Sequence, residues 1–286
     1  MKPLVVIVGE TASGKSALAI DLAHRFDGEL VCADSSTVYR GFDIGSAKPS
    51  NNDRKVVPHH LLDVADPSEG YNAALFKVMA QSAIADIQHR GKLPIIVGGT
   101  GLYVDSVLYD YGFLEKAKPP LRARLSAMEL PALLLYADEL GLDMSGIDTQ
   151  NPRRVVRHIE NRGVLPTRGS LRDNTVVIGL DVPRDELRQR IEHRVDSMLD
   201  DSLEAEVRTL AERYGWEVEP MKGIGYREWK PYFAGEVSRA DVREEIVRDS
   251  MQLAKKQRTW FRRNNSIHWV TDPSNAVEIV TTFLNK

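Results

Sequence analysis

The chain has 286 residues, 42% hydrophobic and 28% charged, with a net charge of −3, enough for one large or two modest domains and too balanced for a globally basic nucleic-acid binder, so any polyanion site must be a local patch. Its single cysteine, Cys32, excludes a disulfide framework and a cysteine-based zinc site. No apolar run reaches membrane-spanning length and no signal sequence precedes the first strand, so a cytoplasmic protein with no membrane partner is expected.

Leu4-Val5-Val6-Ile7-Val8 predicts a buried strand, and Ala17-Leu18-Ala19-Ile20-Asp21-Leu22-Ala23 suits a helix. Between them stands Gly9-Glu10-Thr11-Ala12-Ser13-Gly14-Lys15-Ser16, the G-x-x-x-x-G-K-S spacing of a phosphate-binding loop in its proper strand–turn–helix setting. Successive backbone N–H groups and the helix N-terminus line an anion site there. The candidate phosphate ligands are Gly9, Thr11, Ala12, Ser13, Gly14, Lys15 and Ser16, with the Ser16 hydroxyl also suited to Mg²⁺. The loop predicts a grip on a di- or triphosphate without choosing between them.

Residues 29–33 form a second short apolar run ending at Asp34, and Cys32 within it reads as a buried bystander. A carboxylate at Asp34 suits holding Mg²⁺ through water, accepting a proton from a nucleophile, or capping the turn that follows. Ser35, Ser36 and Thr37 add hydroxyls beside it. His59-His60 lacks a partner at metal-binding spacing and reads as structural or ligand-adjacent. Apolar spacing over 71–88 predicts a helix, and Leu93-Pro94-Ile95-Ile96-Val97 another buried strand, followed by Gly98-Gly99-Thr100. Strands alternating with helices predict an α/β fold, a phosphate-loop-type parallel sheet flanked by helices. Ligands in such sheets bind beyond the carboxyl ends of the strands, so the loop at Gly9, Asp34 and Gly98-Gly99-Thr100 are expected to converge on one cleft.

Residues 111–174 change character: helical segments at 121–128, 131–140 and 153–160 are joined by Gly, Pro, Asp and Asn. They predict a small helical insertion dividing a core of 1–110 and 175–286. Residues 175–181 return to a strand, and a long helix follows with Leu187, Ile191, Val195, Met198 and Leu199 on one face. Arg194 on that helix suits either a surface position or a clamp on phosphate, and on position alone the surface is the commoner fate. A second long helix is expected over 240–263, ending in Lys255-Lys256-Gln257-Arg258-Thr259-Trp260-Phe261-Arg262-Arg263. With Arg154 and Arg157 of the insertion it makes two cationic patches, suited to RNA backbone contact with base stacking or, equally, a solvated helix face over two core aromatics.

Taken together these segments resemble the tRNA dimethylallyltransferase (tRNA isopentenyltransferase) family over nearly the whole chain. The matching pieces are the loop, residues 33–45, Ala47-Lys48-Pro49, residues 58–63, residues 97–103, residues 190–199, Ile224-Gly225-Tyr226 and residues 254–261. The resemblance implies that the loop holds the pyrophosphate of dimethylallyl diphosphate, with Mg²⁺, and that the acceptor is the N6 amine of adenosine 37 in the anticodon loop of tRNAs reading codons that begin with U. It implies Asp34 as general base, Thr100 at the acceptor nucleotide, and Lys15, Ser16 and Arg194 on the diphosphate. It implies tRNA contacts at Asp34, Ser35, Ser36 and Thr37, at Thr100 and Arg122, and at Asn151, Arg153, Arg154 and Arg157; the basic run adds Lys255 and Lys256. The chain departs from the family pattern at Glu10 (usually Pro), Thr37 (usually Gln) and Ser250-Met251 (usually Thr-Arg), and its insertion is shorter. Glu10 is expected to weaken diphosphate affinity. Without a zinc finger the chain is expected to be of bacterial type, and a monomer. The other readings are an adenylate isopentenyltransferase acting on free AMP, ADP or ATP, a kinase built on the same loop, and a tRNA-binding relic.

Overall fold

The computed structural model describes residues 2–114 and 119–285. In chain order the elements are β1 (Leu4–Gly9), α1 (Lys15–Arg25), β2 (Gly28–Cys32), α2 (Asn51–Val56), β3 (His59–His60), α3 (Ala73–His89), β4 (Leu93–Gly98), α4 (Gly101–Leu108), α5 (Pro119–Ser126), α6 (Leu130–Glu139), α7 (Pro152–Glu160), β5 (Thr175–Leu180), α8 (Arg184–Asp200), α9 (Leu203–Tyr214), a 3₁₀ turn (Glu219–Lys222), α10 (Trp229–Phe233), α11 (Arg239–Phe261), β6 (Ile267–Val270) and α12 (Pro273–Leu284). The strands form one six-stranded sheet in the order β3-β2-β4-β1-β5-β6, with every pairing parallel. β1, β2 and β4 are buried along their whole length, which is why they read as unbroken apolar runs.

Alternate strand residues, among them Val5, Ile7, Leu30, Ile95 and Ile178, pack with Leu18, Leu22, Ala276 and Val280 of α1 and α12 on one face. α3 and α11 pack on the sheet as well. A further core joins α8, α9, α10 and α11 to Val38, Tyr39 and Phe42, with Tyr226 and Trp229 fully enclosed. Local signals set the boundaries. Asn72 caps α3 by accepting from the Ala74 and Leu75 amides, and Ser238 with Asp241 forms a capping box that opens α11.

The edge strands β3 and β6 and helices α2, α4, α9, α10 and α12 lie outside the elements predicted from pattern. β3 is two residues long and β6 four, too short for alternation to show. His59 and His60 belong to that edge: His60 Nε2 meets the Glu29 carboxylate at 2.7 Å and His59 Nδ1 meets the Val57 carbonyl.

By its contacts the chain divides into two compact units, Met1–Leu108 with Leu171–Lys286, and Tyr109–Ser170. In the second, α5, α6 and α7 close around Leu125, Leu133, Ala137, Val155, Val156 and Ile159. Among the described residues no helix is long and apolar enough to cross a membrane.

Candidate functional site

β1 delivers the chain into the loop at Gly9, and α1 begins at Lys15. Ala12 (φ 60°) and Gly14 (φ 93°) adopt left-handed conformations, curling successive amides toward one point. The first amides of α1 have no acceptor within the helix, and its positive dipole end faces the same point. A pocket of about 590 Å³ lies over them, lined by Ala12, Gly14, Lys15, Ser16, Arg190 and Arg194. Its shape and charge suit a diphosphate.

Lys15 Nζ donates to the Glu10 carbonyl at 3.1 Å. Burial pushes its pKa down to about 8; the charge of Asp34 opposes that shift and the charge of Arg194 adds to it. The three charges therefore share one space. Arg194, expected on position alone at the surface, is half-buried there, and its guanidinium donates to Thr11 Oγ1 at 2.7 Å. Position 194 follows Ile191 by one helical turn and flanks the apolar stripe of Leu187, Ile191 and Val195, which turns it toward the loop. Its Nε is buried with no hydrogen-bond partner among the described residues, a donor that an incoming anion would satisfy. Thr11 differs from expectation too. Its N–H donates to Gln257 Oε1 at 2.8 Å, so Thr11 orients Arg194 instead of offering its amide to phosphate.

The carboxyl ends of β2 and β4 complete the cleft. The Ala33 amide donates to the Val97 carbonyl and the Thr100 amide to the Ala33 carbonyl, so the two exits are zipped together. A Cβ on Gly98 would lie 2.0 Å from the Ala33 oxygen, so this approach requires glycine. Ser35 N–H donates to Thr100 Oγ1 at 3.0 Å, and Ser36 N–H to the Asp34 carboxylate at 2.8 Å, which holds that carboxylate in a fixed turn. Ser35 and Ser36 are exposed, whereas Thr37 is buried, with its hydroxyl unpartnered among the described residues. Thr37 is thus not open to a macromolecule in this conformation. Cys32 is buried as expected, its thiol pushed up to about 12 by burial and therefore inert.

Glu10, expected to weaken the phosphate site by its charge, has that charge paired. It is buried, and both of its oxygens accept from Arg258, at 2.6 and 3.0 Å. The pairing with Arg258 offsets the carboxylate's charge, which still favours the charged form of Lys15. The same pairing uses part of the cationic run that had suggested RNA contact. Arg258 also donates to the Val182 carbonyl, Arg262 pairs with Asp181 at 2.6 Å, Phe261 is core, and Trp260 donates its indole N–H to Asp105 at 3.0 Å. For Phe261 the core reading prevails over base stacking, while Trp260 is half-buried against α4. Lys255 and Lys256 are exposed on the same turns of α11.

In the insertion, Arg122 donates to the Glu160 carboxylate at 2.9 Å, and Arg157 to the same carboxylate at 3.3 Å and to the Leu114 carbonyl. The Glu160 side chain is fully buried, so these two arginines neutralise a buried charge and tie α5 to α7. Asn151 caps α7 by accepting from the Arg153 amide. Arg153 and Arg154 are exposed, Arg154 lying 3.6 Å from Asp148. Arg122→Ala is expected to destabilise the insertion by about 1–3 kcal/mol, toward the low end because Arg122 is half exposed. Thermal denaturation followed by circular dichroism checks this; an unchanged transition would mean that Arg157 alone suffices for Glu160.

No role for Gln257 or Arg190 is read from the sequence, although both lie in segments that match the family pattern, residues 254–261 and 190–199. Arg190 donates to the Ser13 carbonyl at 3.0 Å and supports the loop from α8. Gln257 stands on the seam of α11 formed by Val247, Ser250, Ala254 and Phe261, all buried. A polar residue at that spacing signals a buried amide that must find partners.

The IPP transferase family model matches residues 37–264 of the chain. The tRNA dimethylallyltransferase of Roseiflexus sp. (strain RS-1) is 41% identical, covering 98% of this chain and 95% of its own. Among solved structures, the tRNA isopentenylpyrophosphate transferase of Bacillus halodurans aligns over 100% of this chain and 96% of its own, with 35% identity and a TM-score of 0.77. A eukaryotic dimethylallyltransferase acting on tRNA aligns over 100% of this chain and 80% of its own, with 26% identity and a TM-score of 0.85. With the parallel sheet, the phosphate loop and the cleft it shares with Asp34 and Thr100, the chain belongs to the IPP transferase family, that of the tRNA dimethylallyltransferases.

Proposed function

We propose that this chain transfers the dimethylallyl group of dimethylallyl diphosphate to N6 of adenosine 37 in tRNAs reading codons that begin with U, releasing diphosphate. The observation that carries the reading is the meeting of a phosphate-binding loop with a carboxylate and hydroxyls at the neighbouring strand ends, one side suited to a leaving group and the other to an acceptor. In the reaction the N6–C1 bond forms, the C1–O bond to diphosphate breaks, and the N6 proton passes to the Asp34 carboxylate. The loop amides, Lys15 and Arg194 stabilise the charge that builds on the departing oxygen. Thr100, beside Ser35, holds the acceptor nucleotide.

Among the described residues no group of three or more His, Cys, Asp or Glu could hold a metal ion. The Ser16 hydroxyl at the start of α1, with substrate oxygens and waters, fits Mg²⁺, which keeps several waters and dislikes all-protein cages. When bound, the ion neutralises charge on the diphosphate. Ser35, Ser36, Arg153, Arg154, Lys255 and Lys256 are the exposed residues we assign to the tRNA. Replacing Lys255 and Lys256 with alanine is expected to lower the slope of log affinity against log salt by about 1–2. Filter binding across a salt series reads it, and an unchanged slope removes this pair from the interface.

The activity test is mass spectrometry of tRNA after incubation with dimethylallyl diphosphate and Mg²⁺. A mass gain at adenosine 37 supports the reading. An unmodified tRNA from folded enzyme, or modification of free AMP in preference to tRNA, overturns it.

A further inference from the structure

We propose that Gln257 is a positioning residue that sets the spacing between the two halves of the cleft. Its Oε1 accepts from the Thr11 N–H at 2.8 Å, and its Nε2 donates to the Gly99 carbonyl at 3.0 Å. On the donor side Thr11 receives Arg194, the arginine we assign to the diphosphate. On the acceptor side Gly99 precedes Thr100, whose hydroxyl receives the Ser35 amide beside Asp34. One carboxamide thus joins the group that grips the leaving diphosphate to the groups assigned to the acceptor. This inference rests on the prenyl-transfer reading above.

The chemistry of the bridge selects glutamine. One end must accept from an N–H and the other must donate to a C=O, which an uncharged carboxamide does and an ionised carboxylate or an ammonium cannot. The opposite amide orientation would set NH₂ against N–H and oxygen against oxygen. Gln257 is buried, so neither Thr11 N–H nor Gly99 C=O would regain water if the side chain were lost. Gly99 itself is fitted to the contact, since a Cβ there would stand 2.3 Å from Gln257 Nε2. The surrounding turns of α11 hold the amide in place: Arg258 pairs with Glu10 one residue on, and Trp260 bonds Asp105 of α4. Transfer between a bound amine and an allylic carbon depends on their separation, and a misplacement of about 1 Å lowers such rates about 10²-fold.

The experiment measures steady-state kinetics of wild-type enzyme, Gln257→Glu, Gln257→Met, Gly99→Ala and the Gln257→Met/Gly99→Ala double variant. Gln257→Glu keeps the acceptor for Thr11 but sets a carboxylate against the Gly99 carbonyl. Both Gln257 variants and Gly99→Ala are expected to lower kcat about 10–10²-fold, with KM for dimethylallyl diphosphate and tRNA within about threefold of wild type. The double variant is expected to lose no more than the worse single one, because both break one bridge. The ratio of Gln257→Glu to wild-type kcat is expected to rise as pH falls, because a protonated carboxyl can again donate to Gly99. Folded variants with wild-type kcat, a loss confined to KM, additive losses in the double variant, or a pH-independent ratio would overturn the proposal. A wild-type enzyme without transfer activity would instead sink the functional reading on which the proposal stands.

Discussion

Asp34→Asn is expected to slow prenyl transfer by about 10²–10⁴-fold, the range that a positioned general base contributes. The substitution isolates proton transfer from geometry. Asp34 accepts the Ser36 amide at 2.8 Å, and an asparagine Oδ1 can keep that bond and the turn it fixes. What disappears is the charge that takes the N6 proton as the amine attacks. Because Asp34 also opposes the pKa depression of Lys15, its neutralisation lowers that pKa further. The measurement should therefore be made with saturating dimethylallyl diphosphate, whose negative charge favours the protonated form of Lys15. Single-turnover transfer with saturating tRNA reads the chemical step, and filter binding should show tRNA affinity within about threefold of wild type. A loss of less than about tenfold would remove Asp34 from the role of base.

The donor half of the cleft was legible in the sequence because its physics is local. Five apolar residues, a glycine-rich turn with the required spacing and a helix start are contiguous, and residues 4–16 fold much as their order dictates. The convergence of Asp34 and Gly98-Gly99-Thr100 was legible for a different reason: parallel sheets place strand ends on one side, whatever lies between. Side chains whose surroundings come from distant segments could not be read this way. Arg194 looked like any polar residue on an amphipathic helix, and only the packing of α8 against the loop turns it inward. Glu10 reads as an intrusive charge in its own stretch of sequence because Arg258, which covers it, lies 248 positions away. The structural partner of Arg122 and Arg157 was hidden too, because Glu160, the buried acid they share, shows no sign of burial in its own neighbourhood of sequence. Charge runs in particular mislead, since their pairing depends on tertiary context. Five of the nine residues 255–263 — Gln257, Arg258, Trp260, Phe261 and Arg262 — tie α11 to the sheet exits and α4 or fill the core, while Lys255 and Lys256 face outward.

Lys15→Met is expected to lower kcat/KM for dimethylallyl diphosphate about 10²–10³-fold, the usual effect of deleting one charged stabiliser of a developing oxyanion. Its pH signature separates that role from simple packing. In the free enzyme burial holds the Lys15 pKa at about 8, below its ordinary 10.5. A bound diphosphate favours the ammonium form and raises that pKa, so binding takes up a proton once the pH exceeds about 8. Wild-type affinity should be flat below that point and fall by up to about tenfold per pH unit above it; in Lys15→Met it should start low and show no such inflection. Stability moves the opposite way. A lysine with a depressed folded-state pKa destabilises the fold most fully below about pH 8, and the penalty is relieved as the pH rises from there toward 10.5. Lys15→Met should therefore make the unliganded enzyme more stable than wild type at pH 7, by about 1–3 kcal/mol, with the difference shrinking above pH 8. Calorimetric titration with dimethylallyl diphosphate from pH 6.5 to about 9.5, beside urea denaturation of both proteins, tests the two limbs together. Equal pH slopes in the two proteins, or a variant less stable at pH 7, would mean that Lys15 is not the strained cation the cleft geometry requires. The destabilisation has a functional logic: a desolvated ammonium beside empty amides is a site whose electrostatics are completed by the anion it is built to hold.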